Sequence, residues 1–177
     1  MSQLKVNSIV PVGGLPSGSN GGIIQIVQTY KKDSFSESVG AQNASSVCMS
    51  CAITPSSNSS KILIQVVAYV SSSSATNSVG ISLDKNGTEH TSAMPDADGN
   101  RVRTAASNGN ERDTYISPLI VNFIDEPATT SAVTYGVRMR SSSGGTQTIK
   151  LNRTSEDSNN QNNLISCSSI TLFEVTV

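Results

Sequence analysis

The chain has no tryptophan, one histidine and three cysteines in 177 residues, and aromatics make up only 4% of it. Each scarcity excludes some chemistry. Without tryptophan there is no indole platform on which sugars or bases stack. The lone histidine, His90, has no neighbour placed by spacing to orient it, so no Ser-His-Asp or Cys-His arrangement can be drawn. An odd number of cysteines does not make a disulfide framework. Cys48 and Cys51 have the spacing of a zinc knuckle or redox pair, but a second pair is missing. Positions three apart in an alternating strand also point to opposite faces. With Cys167 they read as buried or half-buried free thiols without metal. Charged residues are 14% of the chain and the net charge is −1, which leaves no electrostatic footprint for nucleic acid. No stretch approaches the ~18 consecutive apolar residues of a membrane span. The first residues lack the basic start and unbroken apolar core of a secretory signal, so the expectation is synthesis and retention in the cytosol. No motif asks for a cofactor.

What is abundant is Ser, Thr and Asn in short alternating runs separated by turn clusters, the pattern of strands and not of helices. Residues 22–31 alternate with Ile24, Ile26 and Gln28 on one face. Residues 46–54 place Val47, Met49, Cys51 and Ile53 on one face and Cys48, Ser50 and Ala52 on the other. Residues 61–71 are the most apolar: Ile62, Ile64, Val66, Ala68 and Val70 on one face, Leu63, Val67 and Tyr69 on the other. That reads as a central strand buried on both sides. Residues 79–84 run into Asn86-Gly87, a strong hairpin signal. One weak strand is expected around 101–105, then strands at 115–125, 131–140, 146–151 and 166–177. About eight or nine strands and no helix read as an antiparallel β-sandwich, jelly-roll-like.

Residues 1–21 differ from the rest. Pro11, Pro16 and several glycines exclude a helix, yet Leu4, Val6, Ile9, Val10, Val12 and Leu15 are apolar. Exposed in a lone monomer such an arm is a liability; docked on a sister chain or an assembly it has a purpose. The expected organisation is an attachment arm, 1–21, that docks on a sister chain or an assembly, followed by a sandwich head, 22–177.

The long polar segment between residues 86 and 113 carries the candidate binding residues: His90, Arg101, Arg103 and Arg112, with Met94, Asp96, Asp98, Asn108, Asn110 and Glu111. Two arginines two apart on a strand share a face, and guanidinium groups grip anionic oxygens bidentately. A solvated loop or an inter-subunit contact is the alternative. Asp96, Asp98 and Asn100 imitate a calcium loop, but the glycine comes early and position twelve is Ser107. The acidic pairs Asp125-Glu126 and Glu156-Asp157 raise glycoside hydrolysis, although adjacent residues in turns seldom face one substrate.

Seven stretches in order, LKVNSI (4–9), PVGGLPSG (11–18), GGIIQIVQTYK (21–31), ITPSSNSSKILIQV (53–66), DEPATTSAVTYGVRMRS (125–141), LNRTSEDS (151–158) and SSITLFEV (168–175), resemble small fibre proteins of tailed bacteriophages, of the type infecting cyanobacteria and marine bacteria. The resemblance spans nearly the whole chain and is weakest over 88–112. It implies a virion tail fibre: a β-rich homotrimer, made in the host cytoplasm, with an arm that docks on a baseplate, tail or capsid protein. Its distal head meets host surface polysaccharide, without catalysis, cofactor, nucleic acid or membrane insertion. A capsid decoration or head-fibre protein without receptor binding is the alternative, and a carbohydrate-active enzyme a third.

Overall fold

The computed structural model describes residues 22–73, 77–109, 115–142 and 144–176. The expected arm with Leu4, Val6, Ile9, Val12 and Leu15 lies outside the described residues, as does Arg112. Eleven strands are described: β1 (Ile23–Lys31), β2 (Phe35–Val39), β3 (Ala44–Ile53), β4 (Lys61–Ser72), β5 (Ser78–Lys85), β6 (Thr88–Glu89), β7 (Ala106–Gly109), β8 (Ser117–Asp125), β9 (Val133–Ser141), β10 (Gln147–Leu151) and β11 (Ser168–Val175). There is one short 3-10 turn, Thr91–Ala93, and no α-helix among the described residues.

The strands form a six-stranded and a five-stranded sheet, packed as a β-sandwich. With the short β2, β6 and β10 set aside, the pairings nest: β1 with β11, β3 with β9, β4 with β8, β5 with β7, all antiparallel. That nesting is a long hairpin rolled up, the jelly roll. It gives one sheet in the order β1-β11-β4-β8 and another in the order β3-β9-β5-β7. β8 lies along one edge of β4; β11 and then β10 share the other end to end.

Alternation explains the core. Ile62, Ile64, Val66, Ala68 and Val70 of β4 are all buried and meet Val79, Ile81, Leu83, Tyr135, Val137 and Met139 of the facing sheet. Each such aliphatic or aromatic side chain contributes about 1.5–3 kcal/mol on burial. The Asn86-Gly87 turn is as expected: both residues have positive φ, 54° and 86°, as a type I′ hairpin requires.

Four expectations are corrected. The second face of β4 is only half-covered: Leu63, Val67 and Tyr69 are neither core nor fully exposed. Cys48 does not oppose Cys51; both are buried. The ladder with β9 slips between Val47 and Met49, and this β-bulge inserts one residue and reverses the parity before it. Burial pushes the Cys48 thiol up to about 12, and the thiol donates to the Val137 carbonyl at 3.2 Å. The weak strand expected at 101–105 forms instead at Ala106–Gly109. The strands number more than eight or nine because β2 and β6 also form. Alternation does not reveal β2 because Glu37 sits where an apolar residue would continue the pattern; its carboxylate accepts from the Ser46 amide at 3.0 Å and the Ser46 hydroxyl at 2.5 Å.

Candidate functional site: an arginine cleft beneath the 95–105 loop

On β5 and β9 the inward residues are apolar and the outward ones are not. Gly80, Ser82 and Asp84 stand beside Arg140, Arg138 and Gly136. Arg138 pairs with Asp84 at 2.7 Å and Arg140 with Glu89 at 2.6 Å, while the Ser82 hydroxyl donates to Glu89 at 2.7 Å. Burial pushes the Glu89 carboxyl up, but the Arg140 and Ser82 hydrogen bonds and the nearby guanidinium charges outweigh it and hold the group below its ordinary value. This face is therefore a fixed layer of ion pairs, already desolvated in part.

The segment from β6 to β7 crosses that layer. It can lie close because residue 80 is glycine: a Cβ there would sit 2.3 Å from Thr104 Cγ2. The Ala105 amide donates to the Ile81 carbonyl at 2.8 Å. Within the loop the Arg103 Nε donates to the Pro95 carbonyl at 2.7 Å, and Arg101 pairs with Asp98 at 2.6 Å. Cavities of about 250 Å³ and 350 Å³ lie along it and share Gln42, Asn100, Arg101, Val102 and Arg140. Together they make one cleft whose polar lining is guanidinium, amide, hydroxyl and one carboxylate, that of Glu89, which Arg140 holds.

Arg101 and Arg103 do come together, though through a loop and not through one face of a strand. Arg101 is freely solvated, and its surface pair with Asp98 is worth at most ~1 kcal/mol, so an anionic ligand can displace it. Arg140 and Gln42 complete the cleft. Neither stands among the sequence-expected site residues; Arg140 sits on the same outward face of β9 as Arg138.

His90, expected on the exposed loop, is turned inward. Its Nε2 lies 3.0 Å from Asp125 and its ring meets Phe123 edge-on, centroids 5.2 Å apart. Asp125 also accepts from Tyr135 and pairs with Lys85 at 2.6 Å. Burial pushes its carboxyl up; the hydrogen bonds from Lys85 and Tyr135, with the Lys85 and His90 charges, outweigh this and leave it below the ordinary value. Tyr135, buried and donating to that carboxylate, is pushed up. Asp125 thus joins the two sheets, whereas Glu126 faces outward to Lys61 at 2.7 Å. The second acidic pair is also occupied: Asp157 lies 3.5 Å from Lys150. Asp98 of the calcium-like run is held by Arg101. Glu174, buried in β11, was missed as well. It accepts from the Ser56 amide and hydroxyl, both at 2.6 Å, and from Ser60 at 2.7 Å, fastening the turn before β4.

No family model matches the chain and no curated protein matches it. Among solved structures it is similar to the D431N mutant VP2 protein of infectious bursal disease virus, in derived T=1 particles. The TM-score is 0.44 and the identity 11%, over 86% of this chain and 36% of that one, so this chain spans about a third of that protein's length.

Proposed function

We propose that this chain is a virion structural protein of the tail-fibre type, a jelly-roll head that binds anionic groups of a bacterial surface through the arginine cleft. The observation that carries the reading is the convergence of Arg101, Arg103 and Arg140 with Gln42 and Asn100 in one solvent-open cleft. The ordered fibre-like stretches of the sequence support it, and so does the rigid sandwich beneath the loop, which is how binding loops are usually presented. Guanidinium groups bind carboxylate or phosphate oxygens in pairs, and the amides of Gln42 and Asn100 suit sugar hydroxyls. Each cleft binds weakly; several copies per particle convert modest affinity into firm attachment. The reading assigns the cleft no catalytic role: Glu89 and Asp98 serve there as ion-pair partners of Arg140 and Arg101.

The test is binding of the full chain to immobilised acidic envelope polysaccharide at low and moderate salt. Arg101→Ser with Arg103→Ser is expected to keep the strand spectrum and lower affinity severalfold. The remaining binding should depend less on salt, because fewer counterions are released. Binding equal to wild type would remove the cleft from the reading and favour the decoration role.

A further inference from the structure

The two outer faces of the sandwich are chemically opposite. The face of the five-stranded sheet carries the ion pairs described above. On the other sheet, the antiparallel registers align β1, β11, β4 and β8 into levels that run straight across the outer face. One level is Ile26, Phe173, Leu63 and Ile124; the next is Gln28, Thr171, Gln65 and Asn122; the third is Tyr30, Ser169, Val67 and Ile120. The first is wholly apolar, the second wholly amide and hydroxyl, the third apolar apart from one serine, and no residue of the three carries a charge. The large side chains are not tucked away: Ile26 is 59% exposed, Tyr30 56%, Ile120 60% and Ile124 58%. A continuous apolar surface beyond a few hundred Å² marks an interaction site.

We propose that this face is where copies of the chain pack on one another. Three observations favour a second copy as occupant. First, the face is uncharged. A symmetric contact near its axis sets a group against its own image, so like charges would repel, whereas apolar groups and amides do not. Amides both donate and accept, so the Gln28–Gln65–Asn122 level can hydrogen-bond to itself. Second, the banding follows the strands. In a closed ring whose axis runs along them, each level meets the same level of its neighbour, apolar on apolar and amide on amide. Third, the size is that of an interaction site. Four strands spaced about 4.8 Å and three levels spaced about 6.7 Å cover about 390 Å² per copy, as large as the biggest patch a typical monomer exposes. The nearest charged pair, Lys61 with Glu126, lies at the border and neutralises itself. Three copies is the number that the fibre reading implies; the face itself does not depend on that reading.

This arrangement also separates the two tasks. With one sheet turned to the axis, the cleft under the 95–105 loop, on the opposite sheet, points outward on every copy.

The experiment is sedimentation velocity of the full chain at micromolar concentration, paired with hydroxyl-radical footprinting of Ile26, Tyr30, Ile120, Ile124 and Phe173. Wild type is expected to sediment as a trimer with these side chains protected. Ile120→Asp with Ile124→Asp is expected to weaken association at least tenfold and yield a folded monomer. A dimer with the face protected supports the interface and counts against the fibre reading. A monomer with the face oxidised overturns the interface. A monomer with it protected assigns the cover to residues 1–21 and also overturns it, as does an oligomer in which the face stays oxidised. If the double variant fails to fold, the wild-type footprint decides.

Discussion

Replacing Asp125 by alanine is expected to remove about 3–5 kcal/mol of folding stability, the usual loss when one member of a buried ion pair is deleted. The carboxylate is the common acceptor for Lys85, His90 and Tyr135, and Tyr135 itself is wholly buried. Alanine would leave a buried hydroxyl and a half-buried ammonium without their acceptor, at the point where β8 of one sheet meets β5 and β9 of the other. The effect has a pH signature. The folded carboxyl titrates below its unfolded value, so its contribution is fully present above the ordinary carboxylate pKa of about 4. It is lost as pH falls through the lower, folded value. Glu89 and Glu174 shift in the same direction, so wild type should weaken in acid. The gap between wild type and Asp125→Ala should narrow below about pH 4. Urea unfolding followed by circular dichroism at pH 7 and at pH 3 measures both. A difference under 1 kcal/mol at pH 7 would contradict the role given to Asp125.

Gly80→Ala is expected to act on binding more than on the fold. The new Cβ would lie 2.3 Å from Thr104 Cγ2 and 2.8 Å from Thr104 Cβ. Overpacking of this kind costs about 1–3 kcal/mol. Here the 95–105 loop yields before the sheet does, because its attachment is one face of β5 and a few hydrogen bonds. Arg101 and Arg103 would then leave Arg140, and affinity for acidic polysaccharide should drop at least tenfold while the unfolding midpoint moves little. Thr104→Gly in the same chain removes the collision and should restore much of the binding. Undiminished binding by Gly80→Ala would show that the loop need not lie on the sheet.

How much of this was legible in the sequence depended on range. Alternation in β4 and β9 and the Asn86-Gly87 turn are local, and they mark two strands, the core face of β4 and a hairpin. The bulge at Cys48 was illegible because an inserted residue reverses parity without any special composition. β2 was hidden by Glu37, whose partner Ser46 is known only once β3 is folded beside it. Arg101 and Arg103 were found as neighbours in sequence. Arg140 joins them through the β5–β9 ladder, a long-range pairing that periodicity does not encode. His90 looked exposed because the loop around it is polar; its inward turn is set by Asp125, thirty-five residues away. The second face of β4 was read as buried. Its residues are apolar as expected, but this chain does not cover them. Hydrophobicity says that a surface should be hidden, not which molecule hides it.

The central claim is that the chain works on the outside of a virus particle. The most direct measurement is immunogold electron microscopy of purified phage particles with antibodies raised against the folded full chain. The account predicts gold on fibres that project from the tail. Label confined to the capsid surface would replace the fibre with a decoration protein, and particles free of label, with the protein left in the soluble lysate, would contradict the account.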